Sequence, residues 1–163
     1  MRRNLSFWII VLAILVGLAA CRNDDVVLYP DETPTPDGYT NTSSYRGLYV
    51  LCEGNMGSNK ATLDYLDMTT GRYSRNIYPS RNPGKVMELG DVGNDIGIYG
   101  SKMYAVINCS HKVEVMDVRT CKRIGQVDIP NCRYIRFAKG KAYVSAYVGP
   151  VAIDPNAQLG AVY

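Results

Sequence analysis

Helical periodicity is the first thing this sequence lacks. After residue 46 no apolar pattern repeats at helical spacing over a useful length, which argues against helix bundles and helix-covered sheets. Histidine is nearly absent as well. His111 stands alone, and none of the five cysteines forms a CxxC pair, so no structural zinc site is expected. Charge of one sign is also scarce. The net charge is +3, and Arg2 and Arg3 account for two of it. Without a concentrated basic patch, nucleic acid is not an expected partner. Catalytic signatures are missing too: there is no nucleophile elbow, no zinc-hydrolase motif and no glycine-rich phosphate loop. Ser110 and His111 are neighbours, but adjacency in sequence does not build a triad. The chemistry points to a binding protein rather than an enzyme, with no cofactor.

Long apolar runs are limited to one. It extends from Phe7 to Leu18, broken only by Gly17, and falls short of the roughly 20 residues a spanning helix needs. Arg2 and Arg3 precede it, and Ala19 and Ala20 follow. A basic start, a short apolar core and small residues describe an export signal over residues 1–20. Leu18-Ala19-Ala20-Cys21 resembles the lipobox of bacterial lipoproteins. The resemblance implies cleavage before Cys21 and acylation of its thiol and new amine, a membrane anchor of more than one chain. The plain alternative is an ordinary signal with a chance cysteine. Asp24 and Asp25 follow closely, as in the surface-export signal of Bacteroides-type lipoproteins. That likeness implies the outer face of the outer membrane; the plain alternative is a solvated acidic linker.

About 143 residues remain after such a signal, enough for one ordinary domain. Tyrosine is abundant at 13, against 2 phenylalanines, which suits half-buried strands and ligand-facing surfaces. Residues 21–45 are rich in Pro, Asp, Thr and Ser and read as an extended, poorly ordered tether. Cys52, Cys109, Cys121 and Cys132 leave the disulfide state open.

From Gly47 the pattern changes to strands. "GLYVLCEGN", "SKMYAVINC" and "KAYVSAYVG" are similar runs, in register at Tyr49, Tyr104 and Tyr143. "LDYLDMTTGRY" (63–73) echoes "VEVMDVRTCKR" (113–123). In both, alternation ends at an aspartate, Asp67 or Asp117, placed to accept turn N–H groups. Short strands repeating at roughly 40 to 50 residues point to an all-β fold of β-propeller blades, four-stranded and antiparallel. The expected strands are 47–55, 61–68 and 72–79 in the first blade, lacking its innermost strand. The second takes 94–100, 102–109, 112–118 and 123–129, and the third 133–138, 141–148 and a strand from Gly160. A sandwich of similar strands is the alternative.

"LYV…EGN", "LGDVGNDI", "VEVMDV" and "GKAYVSAYVGPVAIDP" resemble the YncE-like β-propeller lipoproteins of Bacteroides-type bacteria over residues 46–163. Within them the sequence is most similar to the BtuG-type group. That resemblance implies a seven-bladed surface propeller that captures cobalamin or a related corrinoid and delivers it to an outer-membrane TonB-dependent transporter. It also implies that residues 46–163 hold about two and a half of seven blades, an incomplete domain.

The strand assignment gathers five segments on one face: 52–60, 80–93, 108–111, 130–132 and 147–159. Long loops on a rigid scaffold are the usual place for binding. Asn55, Met56, Asn94, Asp95, Asn108, His111, Arg133 and Tyr147 lie in or beside them as candidate ligand-binding residues. A large amphipathic ligand needs aromatic and thioether surface with amide donors, which this set offers. Each has a plain alternative. Asparagines stabilise turns, a lone exposed histidine does nothing specific more often than it ligates cobalt, and Arg133 suits a loop cap or an acid partner. Asp91 and Asp95 have no implied mutual geometry. Glycan binding, protein binding or a scaffold without a small ligand are the alternative functions.

Overall fold

In the computed structural model the described residues are 31–34, 45–85, 87–147 and 160–163. The export signal and Cys21 lie outside them. Three antiparallel sheets make an all-β architecture. The first contains β1 (Asp31–Pro34), β2 (Gly47–Cys52), β3 (Thr62–Asp67) and β4 (Arg72–Arg75), in the order β1-β4-β3-β2. A five-residue helix, α1 (Ile77–Arg81), follows it. The second contains β5 (Gly93–Tyr99), β6 (Lys102–Ile107), β7 (Lys112–Asp117) and β8 (Arg123–Asp128) in sequential order. The third contains β9 (Cys132–Ala138), β10 (Lys141–Ala146) and β11 (Ala161–Val162), ordered β11-β10-β9. Among the described residues the sheets do not close into a ring, and no strand lies on the far side of β2.

Alternation sets which way each side chain points. Tyr49, Leu51, Leu63 and Tyr65 leave one face of sheet one and meet Met103, Ala105, Ile107 and Met116 of sheet two. Val106 and Val113 leave the other face of sheet two and meet Cys132, Ile135, Val144 and Ala146 of sheet three. Leu63, Met103, Ile107 and Met116 are fully buried. Burying such side chains stabilises the stack by roughly 1.5 to 3 kcal/mol each.

The echoed turns are alike in detail. Asp67 Oδ1 accepts the N–H of Thr69 at 2.8 Å and of Thr70 at 3.2 Å. Asp117 Oδ1 accepts the N–H of Arg119 at 3.0 Å and of Thr120 at 2.9 Å. These backbone donors favour the ionised form and hold both carboxyls below their ordinary range. Each turn ends on a left-handed residue, Gly71 at φ 68° and Cys121 at φ 58°.

Three expectations need correction. The strand over 47–55 ends at Cys52. The strand over 72–79 ends at Arg75. Asn76 takes a left-handed conformation at φ 49° and α1 begins immediately after it. Pro79 has no N–H to give a ladder, yet it fits the first turn of a helix. Residues 31–34, read as part of a tether, form a strand against β4. Arg72 pairs with Glu32 at 2.8 Å and Arg75 with Asp31 at 2.9 Å. Pro34 is tolerated because β1 is an edge strand.

Candidate functional site

Strand direction decides which turns meet. β2 and β6 run toward one end of the stack, and β3 and β7 return from it, so the turns at 53–61 and 108–111 share that end. Asp91 ties them together. Its carboxylate accepts the Gly57 N–H at 2.9 Å and the Asn59 N–H at 3.3 Å. Its own N–H donates to Ser110 Oγ at 2.9 Å, and its carbonyl accepts the Cys109 N–H at 3.1 Å. His111 Nδ1 then accepts the Asn131 N–H at 3.0 Å, and the Asn131 carbonyl accepts the Tyr147 N–H at 3.2 Å. A continuous row of hydrogen-bonded turns therefore runs from Asn55 to Tyr147.

The end of the 80–93 segment joins this row. Ala61 and Gly90 form a bridge there. Asn82 lies at the opposite end, where its Nδ2 donates to the Cys121 carbonyl at 3.0 Å and its Oδ1 accepts the Arg123 N–H at 2.7 Å. The helix α1, absent from the sequence reading, carries the chain there. Residues 148–159 of the last segment lie outside the described residues.

The candidate residues divide into two groups. Asn94 Nδ2 donates to the Arg133 carbonyl at 2.8 Å, and Asn108 Nδ2 to the Cys132 carbonyl at 2.8 Å. Asp95 accepts the Ile135 N–H at 2.9 Å and Arg136 Nη1 at 2.8 Å. These three side chains clamp sheet three onto sheet two. His111 is exposed, but its Nδ1 lone pair is committed to Asn131. A neutral imidazole in that bond carries its proton on Nε2.

The second group is more open, with Arg133 half-buried. Met56 is 75% exposed and Tyr147 52% exposed. Arg133 lies over the Tyr147 ring with its guanidinium carbon 5.5 Å from the centroid, a cation–π arrangement. Asn55 is exposed, and its carbonyl accepts the Ser58 N–H at 2.9 Å. So one end of the row offers a thioether beside an amide, and the other an aromatic ring beside a cation.

Sequence reading gave Asp91 no geometry, although it fastens two turns and a sheet entry. The acidic residue flanked by Gly90 and Val92, the latter at φ 61°, was the available signal for a special turn. Cys52, Cys109, Cys121 and Cys132 are all free thiols. Burial raises the Cys121 and Cys132 thiols above their ordinary range, which makes them poor nucleophiles. Among the described residues no group of His, Cys, Asp and Glu gathers as a metal site, and no helix is long and apolar enough to cross a membrane. No protein-family model matches the sequence, and no curated protein matches it.

Proposed function

We propose that this chain is the ligand-binding part of an exported β-propeller lipoprotein of the YncE-like kind. Cys21 anchors it to the outer membrane, and the acidic residues behind Cys21 direct it to the cell surface. Its row of turns captures a large amphipathic ligand, cobalamin or a related corrinoid, for an outer-membrane TonB-dependent transporter. One observation carries this reading: the row is fixed by side chains already satisfied within the fold, while Met56 and Tyr147 stay open and half-buried Arg133 lies on the Tyr147 ring. A pre-formed face loses little ordering entropy on binding, which favours tight capture of a scarce ligand. Met56 and Tyr147 supply apolar contact, Arg133 a donor for an amide or phosphate oxygen, and Asn94 and Asn108 position the backbone beneath them.

Titration calorimetry with cyanocobalamin tests the proposal. Tyr147→Ala is expected to weaken binding by about 1 to 2 kcal/mol, as loss of an aromatic anchor does. Thr120→Ala, in the turn at the opposite end, is expected to leave it unchanged. No heat and no competition would remove the corrinoid and move the same open ring to the glycan reading, since an exposed tyrosine also stacks on sugars. Cys21→Ala followed by fractionation tests the anchor separately: membrane association that persists places the anchor elsewhere.

A further inference from the structure

The end of the stack opposite the row of turns has a charge of its own. β3, β5, β7 and β9 run toward that end, and β4, β6, β8 and β10 return from it. The turns over 67–72, 99–102, 117–123 and 138–141 therefore gather there. Arg46, which leads into β2, joins them, because its carbonyl accepts the Met68 N–H at 3.0 Å. The Val118 N–H donates to the Ser101 carbonyl at 2.9 Å, and the Gly140 N–H to the Tyr99 hydroxyl at 3.0 Å. The Tyr49 hydroxyl donates to the Val118 carbonyl at 2.7 Å and ties sheet one to the turns of sheet two.

Arg46, Lys102, Arg119, Lys122, Lys139 and Lys141 stand at this end, and all are exposed. None of them enters an ion pair among the described residues. The carboxylates on these turns are Asp67 and Asp117, and each is engaged by backbone N–H groups of its own turn. The row at the other end is mixed instead: Glu53, Asp91 and Asp128 accompany Lys60 and Arg133. The net charge of +3 conceals this segregation, because the acids that balance the cations lie elsewhere in the chain. Propeller blades are added side by side around an axis, so further blades would leave this end open.

We propose that this end rests on an anionic lipid surface, with the phosphates of lipid headgroups as its partner. The cations are spread over the turns of three sheets, a broad area that matches a plane of phosphates rather than one polymer strand. Each cation held near such a surface strengthens the contact roughly fivefold. The chain also brings the end within reach. Cys21, the anchor of the proposed function, precedes Asp31 of β1 by ten residues, a span of about 35 Å at most. Pro34 pairs with Arg72 beside the 67–72 turn, so β1 holds the anchored chain about 10 Å from this end. The row of turns then faces the medium. A contact made of exposed charges is screened by salt and reversible, so it does not bar delivery to a transporter. The nearness of a membrane rests on the proposed function; the affinity for an anionic surface does not.

Lysine acetylation of the purified full chain on vesicles, read residue by residue by mass spectrometry, tests the contact. Vesicles of phosphatidylcholine alone are compared with equal parts phosphatidylcholine and phosphatidylglycerol. On the anionic vesicles Lys102, Lys122, Lys139 and Lys141 are expected to react several-fold more slowly, while Lys60 at the other end keeps its rate. Raising the salt is expected to abolish the difference. Joint replacement by Lys139→Gln and Lys141→Gln, both exposed and away from the row, is expected to weaken the protection of Lys102 and Lys122 about fivefold for each charge removed. Equal rates on the two kinds of vesicle overturn the proposal. So does slowing of Lys60 to the same degree, which marks attraction without orientation, and so does protection that the double variant leaves intact. Duplex RNA that protects the same lysines at a lower phosphate concentration than the vesicles also overturns it and makes this end a nucleic-acid face. Failure of corrinoid binding with the predicted pattern intact overturns the proposed function alone.

Discussion

Asp64 and Glu114 occupy the same place in successive sheets, opposite Val50 and Ala105, yet they are served differently. Glu114 is fully buried. It accepts from Arg123 Nε at 2.5 Å, from Lys112 Nζ at 3.2 Å and from the Tyr78 hydroxyl at 3.1 Å. Asp64 is 5% exposed and, among the described residues, has neutral donors: the Tyr73 hydroxyl at 2.8 Å, the Asn76 N–H at 2.9 Å, Thr62 Oγ1 at 3.3 Å and the Cys52 thiol at 3.6 Å. In both sheets residue 73 or 123 reaches across from the fourth strand, so the carboxylate fastens the third strand to the fourth. The difference lies in the cover. Tyr78 on α1 closes over Glu114 from the preceding sheet and removes water, and a dry carboxylate requires cationic partners. Asp64 is slightly less buried and is not covered by that helix, and dipolar donors suffice. The tyrosines follow suit. Burial first, then the nearby Glu114 charge, raise the Tyr78 hydroxyl, while the hydrogen bond to Asp64 pushes Tyr73 up to about 12.

The largest test removes each carboxylate. Glu114→Ala strands Arg123 and Lys112 beside a buried hydroxyl and is expected to cost about 3 to 5 kcal/mol, as breaking a buried ion pair does. Asp64→Ala leaves only neutral donors, and a loss of about 1 to 3 kcal/mol is expected. Urea unfolding of both variants decides the matter. Equal losses would mean that the covering helix does not set the energetics.

Next in size is the clamp between sheets two and three. Asn108→Ala leaves the buried Cys132 carbonyl without its side-chain donor, and a loss of about 1 to 2 kcal/mol is expected. Asn55→Ala, at the open end of the same row, is expected to stay within about 0.5 kcal/mol. Thermal melts of the two variants separate the asparagines that hold the sheets from those that do not.

The smallest effect concerns what the two sheets share. Asp67 and Asp117 both have folded-state pKa values below their unfolded ones. The unfolded chain thus binds more protons, and this contribution is present above the ordinary carboxylate range and lost as pH falls from there through the lowered folded-state values. Asp67→Asn and Asp117→Asn are each expected to shallow the acid side of the stability profile slightly and by similar amounts. Unequal slopes in a pH series of melts would break the equivalence of the turns.

Much of this was legible in the sequence. The tyrosine register and the echo of 63–73 in 113–123 give most of the strands, the turns and the end shared by the 53–61 and 108–111 turns, because alternation and turn chemistry are local properties. Neither α1 nor β1 was legible. A five-residue helix holding Pro79 has no period to detect, and "DETP" resembles linker until Arg72 and Arg75 stand beside it. The structure divides the candidate residues into two groups, and that division was not legible. Whether Asn94 or Asn108 faces a ligand or a carbonyl depends on where the next sheet's backbone arrives.

By itself the sequence determined the all-β character, the position of most strands and the aspartate-capped turns. Each follows from side-chain alternation and hydrogen bonds spanning a few residues. Only the tertiary structure decided which carboxylate goes dry, which asparagines clamp neighbouring sheets and which exposed cations gather at one end. Those outcomes depend on groups some 10 to 40 residues or more apart in the chain, as with Glu114 and Tyr78 or Asn94 and Arg133, and packing alone brings such groups within hydrogen-bonding distance.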